Sequence, residues 1–249
     1  MDYGLRSVAV EDRSVRTRDG VRIALTHHAT GHDQVLLIAH GFLQHRRTRL
    51  FRTLAQRLAE DFDVVTMDFR GHGQSGGWYT FSARETQDLQ AVIDLIRPRY
   101  RQLHVLAFSM GTVAAIDVAV HQRSIDRLIL VSPPMSFEAI ENHWWAPDSL
   151  WWALRRTERG WPARVGWLHL PKPRSLELIA RVAPAPVLFL HGSRDPIVRL
   201  RHSAALYAAA GAPKRLDVVD GGLHAEALAA QDPAGFLRRV RAWCSATND

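Results

Sequence analysis

The stretch Leu103–His121, LHVLAFSMGTVAAIDVAVH, decides the fold. Its first part, LHVLAF, is a continuous apolar run of the kind buried on both faces of a parallel sheet. Its second part, MGTVAAIDVAVH, reads as a helix. Ser109 stands between them with no linker, so the strand must pass into the helix through a very tight turn. Such a turn holds the serine in a strained backbone conformation and brings the helix close to the strand, so the residues two before and two after must be small. Ala107 and Gly111 meet that demand.

Outward from this junction the same alternation repeats. Gln34–His40 (QVLLIAH), Asp63–Phe69 (DVVTMDF), Arg127–Ser132 (RLILVS) and Pro186–His191 (PVLFLH) read as buried strands, and Arg215–Asp220 as a weaker one. Helical patterns fall between them at Thr48–Glu60, Ala83–Arg97 and Ser203–Ala210. Pro233–Cys244 closes the chain as a helix, with Asp232 placed to cap it and Pro233 at its first position. Strands alternating with helices imply an α/β fold with a mostly parallel sheet covered on both faces. Ahead of this pattern, Leu5–Val10 and Val21–Ala29 alternate around Arg18-Asp19-Gly20, which predicts a hairpin. Between Ser132 and Pro184 no strand is convincing, and six of the eight tryptophans lie there, at 144, 145, 151, 152, 161 and 167. An insertion of that length predicts a lid or binding loop.

Composition narrows the classes of function. Of 249 residues, 47% are hydrophobic and 23% charged, which is ordinary for a chain with a sizeable core. The longest stretch free of Asp, Glu, Lys and Arg, Gln102–Ile116, is too short and too polar to span a bilayer. The N-terminal stretch is charged throughout, so no signal peptide is expected, and a lone cysteine, Cys244, asks for no oxidising compartment. A cytoplasmic location is the resulting expectation. The net charge is +7, carried almost wholly by arginine, since lysine occurs only as Lys172 and Lys214. The arginines are spread along the chain with no nucleic-acid signature beside them, so no nucleic-acid partner is expected. Arg46, Arg47, Arg194 and Arg199 read as a solvated rim near the site. No HExxH or Cys/His spacing of a metal site occurs, and neither metal nor cofactor is expected.

A serine hydroxyl is a weak nucleophile that needs a base, normally histidine, oriented by a carboxylate. At strand-to-helix elbows the partners follow in the order serine, acid, histidine. After Ser109, the strand RLILVS offers no acid, whereas PVLFLH runs into Gly192-Ser193-Arg194-Asp195. Asp195 is therefore the candidate acid, with Asp217 and Asp220 as substitutes. The strand RLDVVD leads through Gly221-Gly222-Leu223 to His224, the candidate base. Donors for a developing oxyanion are expected from the backbone N–H groups of Met110 and Phe42, the latter in the loop His40-Gly41-Phe42. His40, His72 and His191 read as loop supports. A literal G-x-S-x-G search selects Ser75 in Gly73–Gly77, but that serine lies beyond the end of its strand in a glycine-rich loop and is rejected.

In this order and spacing, the chain resembles the α/β-hydrolase superfamily. The matching residues are His40-Gly41-Phe42, Asp68-Phe69-Arg70-Gly71-His72-Gly73-Gln74-Ser75, the Ser109 elbow, His191–Asp195 and Gly222-Leu223-His224. Within the superfamily it is most similar to the monoacylglycerol-lipase, cinnamoyl-esterase and small-carboxylesterase group. The resemblance implies a mostly parallel eight-stranded sheet in one α/β-hydrolase domain over residues 1–249, with a lid at 135–183 after the sixth strand. It also implies a cofactor-free Ser–His–Asp hydrolase. Carboxylic esters of apolar or aromatic acyl groups are the expected substrates, with Trp144, Trp145, Trp151 and Trp152 as candidate acyl contacts or as residues that dock the lid on the body. Thioesterase, C–C hydrolase, peptidase and acyltransferase chemistry share the same three residues, and a non-catalytic ligand-binding protein could share the scaffold.

Overall fold

A computed structural model of the chain describes residues 9–140 and 163–246. Its strands are β1 (Ala9–Arg16), β2 (Arg22–Ala29), β3 (Gln34–Ala39), β4 (Asp63–Met67), β5 (Gln102–Phe108), β6 (Arg127–Val131), β7 (Val187–Gly192) and β8 (Lys214–Val219). They form one eight-stranded sheet in the order β1-β2-β4-β3-β5-β6-β7-β8. The β1–β2 and β2–β4 pairs are antiparallel and every other pair is parallel.

The buried strands have no polar face because each feeds two cores. Along β3, Val35, Leu37 and Ala39 enter one core, while Leu36 and Ile38 enter the other. β6 divides in the same way, with Leu128 and Leu130 on one face and Ile129 and Val131 on the other. This is the period-two alternation of a pleated strand with apolar residues on both faces. The first core is covered by α2 (Glu85–Ile96), α3 (Gly111–Gln122) and α5 (Arg201–Ala209), and the second by α1 (Arg49–Leu58), α6 (Ala225–Gln231) and α7 (Pro233–Ser245). A short α4 (Ser175–Leu178) lies ahead of β7. Asp232 caps α7 as expected, its carboxylate accepting the Gly235 N–H at 2.8 Å.

Two elements differ from their sequence reading. The first strand is Ala9–Arg16 rather than Leu5–Val10, and residues 1–8 lie outside those described. It is an edge strand exposed over most of its length, so it carries no apolar alternation to mark it. The expected hairpin follows it, with the Gly20 N–H donating to the Thr17 carbonyl at 2.9 Å. At the far edge β8 is only half-buried, which explains its weak signal. α6 was not anticipated, because seven residues are too few to display a helical period.

Within the expected insertion, Trp144, Trp145, Trp151, Trp152 and Trp161 lie outside the described residues. Trp167 is described and exposed. After the undescribed stretch, Arg164 and Gly166 pair with the loop beyond β4: the Arg164 N–H donates to the Gly71 carbonyl and the Gly166 N–H to the Tyr79 carbonyl, both at 2.8 Å. Among the described residues no helix is long and apolar enough to cross a membrane.

Candidate active site

The parallel strands all point their C-terminal ends to one edge, where open α/β sheets place their sites. Ser109 follows β5 there with φ +47°, a left-handed conformation that a non-glycine residue adopts only under constraint. The constraint is visible. The Ser109 N–H donates to the Val131 carbonyl at 2.8 Å, and the Thr112 hydroxyl donates back to the Ser109 carbonyl at 2.5 Å. A Cβ on Gly111 would lie 2.6 Å from the His40 carbonyl oxygen and 3.0 Å from that of Ala39, so only glycine lets α3 cross β3 this closely. Met110 caps α3, which begins at Gly111.

Asp195 follows β7 and His224 follows β8. Their loops are joined by the Arg194 N–H, which donates to the Gly222 carbonyl at 2.9 Å. The three side chains meet: His224 Nδ1 is 2.7 Å from Asp195 Oδ2, and His224 Nε2 is 2.9 Å from Ser109 Oγ. In this arrangement Nδ1–H donates to the carboxylate and Nε2 is left to accept from the serine hydroxyl. The second oxygen of Asp195 accepts the N–H groups of Ile197 and Val198, both at 2.9 Å. The Asp195 side chain is fully buried and that of His224 retains 13% exposure, which leaves the imidazole edge accessible. The substitute acids lie elsewhere, with Asp217 paired to Arg215 at 2.6 Å and Asp220 accepting from the Ser193 hydroxyl at 3.1 Å.

The charges are tuned together. Burial pushes the Asp195 carboxyl up, but His224, through its charge and its hydrogen bond, together with the Val198 N–H, outweighs it and holds the group below its ordinary value. Burial pushes His224 down, yet Asp195 and Glu226 outweigh it and hold the imidazole above its ordinary value. A raised histidine that keeps one carboxylate on Nδ1 is a stronger base toward the serine proton.

The supporting residues divide between those the sequence indicated and those it did not. Nδ1–H of His40 donates to the Gly41 carbonyl at 2.6 Å and its Nε2 accepts the Phe69 N–H at 3.1 Å. His72 spans the Arg70 carbonyl and the Leu43 N–H, and His191 donates to the Val198 carbonyl at 2.8 Å. Burial lowers all three, so they brace the site as neutral rings. Ser75 is buried, donating to the Asp68 carbonyl at 2.6 Å and accepting the Ala24 N–H at 2.8 Å. Arg46 departs from the expected solvated rim. It is 3% exposed and ion-paired with the fully buried Asp68, whose carboxylate also accepts the Arg46 and Gln74 N–H groups. Arg47 is exposed and bonded to Asp12, while Arg194 and Arg199 are exposed.

Two functional candidates were missed. The Ser132 hydroxyl, at the end of β6, accepts the Ala225 N–H at 3.0 Å and so fixes the residue after His224, itself at φ +41°. Glu226 accepts the Gly41 N–H at 3.1 Å. A serine ending a strand and a glutamate in a helix are too common for either to stand out from sequence. Among the described residues no group of three His, Cys, Asp or Glu side chains is placed to hold a metal.

A serine elbow facing a histidine and a buried acid at this edge of this sheet is the architecture of α/β-hydrolases. Residues 30–170, more than half of the chain, match the family described as serine aminopeptidase, S33, and the chain belongs to that family. YfhR of Escherichia coli (strain K12), an uncharacterized protein, is 30% identical over 173 residues, covering 67% of this chain and 55% of YfhR. The chain thus spans little more than half the length of that relative. The uncharacterized protein Rv2307c of Mycobacterium tuberculosis is 31% identical over 227 residues, 87% of this chain and 73% of that one. Among solved structures, the Pyrococcus furiosus esterase Pf2001 superposes with a TM-score of 0.76 at 21% identity, covering 95% of this chain and 91% of its own.

Proposed function

We propose that the protein is a serine hydrolase cleaving carboxylic esters of apolar or aromatic acyl groups, with Ser109 as nucleophile, His224 as base and Asp195 as orienting acid. The observation that carries this reading is the unbroken hydrogen-bond chain from Ser109 Oγ through His224 to Asp195. Ser109 Oγ attacks the ester carbonyl while His224 Nε2 takes its proton. The imidazolium stands against the Asp195 carboxylate and then returns the proton to the departing alcohol. Water, deprotonated by the same imidazole, releases the acid from the acyl-enzyme. The N–H groups of Met110 and Phe42 are assigned to the oxyanion, since Met110 follows the nucleophile and Phe42 follows Gly41, which abuts the Ser109 side chain.

The acyl preference rests on an apolar cluster at the same place. Met110, Ile140 and Val198 are buried together, with Phe42, Phe137 and Ile197 packed against them. Phe42 stacks on Tyr79 with ring centroids 5.2 Å apart, and Phe137 meets Phe81 edge-on at 5.5 Å. A wall of this kind favours an apolar or aromatic group over a charged one. The insertion 135–183 is assigned as the lid over it. The esterase name of the Pyrococcus furiosus protein agrees with ester chemistry.

The test is hydrolysis of p-nitrophenyl esters of graded chain length beside acyl-thioesters. The reading expects turnover that Ser109→Ala lowers by about 10³-fold or more. It also expects an acid limb of kcat/KM above the ordinary histidine value of about 6.5, because His224 must lose its proton to act. Thioesters cleaved in preference to every oxygen ester would overturn the substrate assignment.

A further inference from the structure

We propose that Glu226 is a positioning residue of this site, one that holds the Gly41–Phe42 loop against the nucleophile and places a second negative charge beside His224. The inference rests on the hydrolase reading of Ser109, His224 and Asp195, and it adds a fourth ionisable side chain to them.

The geometry is unusual for a glutamate in the first turn of a surface helix, which ordinarily extends into water. Glu226 turns inward instead, and its Oε1 accepts the Gly41 N–H at 3.1 Å. A Cβ built on Gly41 would lie 2.6 Å from that oxygen, 3.2 Å from Ser109 Cβ and 3.4 Å from the Phe108 carbonyl oxygen. The carboxylate, the side chain of the nucleophile and the backbone of the loop therefore converge on one point with no space between them. The Glu226 bond orients the Gly41 peptide, and that peptide sets where the next N–H, that of Phe42, is directed. Hydrogen bonds from a backbone N–H to a charged acceptor are the stronger kind, which suits a tether.

The charge has a second consequence. When His224 takes the Ser109 proton it becomes an imidazolium, and a nearby carboxylate stabilises that state. The ionisable groups facing His224 among the described residues are Asp195, on the loop after β7, and Glu226, on its own helix; His191 lies behind Asp195 and is kept neutral by burial. Burial pushes the Glu226 carboxyl up, and Asp195 adds to that, while His224 and the Gly41 N–H favour its charged form. His40, which adjoins Gly41, is pushed down to about 4 by burial and adds no charge at neutral pH. Two carboxylates therefore act on the base, one bonded to its Nδ1 and one tied to the loop beside the nucleophile.

Two variants separate the tether from the charge. Glu226→Gln keeps an oxygen to accept the Gly41 N–H but is neutral, whereas Glu226→Ala removes both. With p-nitrophenyl butyrate, Glu226→Ala is expected to lower kcat about 10-fold or more with KM within about two-fold, the signature of a lost transition-state arrangement. Glu226→Gln should recover most of that loss at the alkaline plateau. In both variants the NMR titration of the His224 imidazole should move to lower pH by roughly half a unit or more, since a stabilising negative charge is gone. Wild-type kcat in Glu226→Ala would overturn the tether, and an unmoved His224 midpoint in Glu226→Gln would overturn the charge. The NMR titration needs no turnover. A wild-type protein inactive on every ester would therefore refute the hydrolase reading and leave Glu226 still decided by the midpoint. Glu226→Gln is nearly isosteric, so it keeps the inference testable should the alanine variant fail to fold.

Discussion

Ser109 and Gly111 show how little sequence is needed to fix an elbow. A strand and a helix without a linker force the serine to φ +47°, and the approach of α3 to the His40 carbonyl excludes any side chain at 111. Ser132 does comparable work from the neighbouring strand, since its hydroxyl holds the backbone just past His224. Ser132→Ala would leave the buried Ala225 N–H without that acceptor, at a cost of about 1–3 kcal/mol. The expected outcome is a lower thermal midpoint together with a kcat that falls more than KM changes, because the imidazole loses its fixed bearing on Ser109. Wild-type kinetics in that variant would show that the loop holds itself. Ser109, Asp195 and His224 were legible in the sequence because each sits just beyond a strand end. Ser132 lies in the same kind of place, but its role is a bond to a backbone N–H, which leaves no trace in residue type or spacing.

At the scale of elements, legibility followed burial. The strands that feed two cores announced themselves as unbroken apolar runs, whereas β1 and β8, at the edges, did not. The β1–β2 ladder is supplemented by charge at its turn. Arg70, 2% exposed, bonds both the fully buried Asp88 of α2 and Asp19 of the hairpin turn, at 2.9 Å and 2.8 Å. Removing Asp88 leaves a buried guanidinium with Asp19 as its remaining acidic partner. Asp88→Ala should therefore destabilise by about 3–5 kcal/mol. Asp19→Ala should cost clearly less, because the Asp19 side chain is 29% exposed and water can replace it. Urea unfolding of the two variants measures the difference, and equal losses would mean that Arg70 does not depend on its buried partner.

Over the whole molecule, the loops after β3, β5, β7 and β8 bring Gly41, Ser109, Asp195 and His224 to one edge from positions as much as 183 residues apart in the chain. The sheet order makes this convergence possible, since parallel strands return their C-terminal ends to the same side. The basic excess stays at the surface: among the described residues Arg46, Arg70 and Arg127 are buried, but so are the acids Asp63, Asp68, Glu85, Asp88 and Asp195. The proposed chemistry requires that His224 activate Ser109 within this frame. Reaction with a fluorophosphonate, followed by intact-mass and peptide mass spectrometry, tests it most directly. One adduct per chain is expected, mapped to Ser109, absent in Ser109→Ala and formed far more slowly in His224→Ala. A wild-type protein that takes up no label, or takes it up at Ser75 or any other serine, would contradict it.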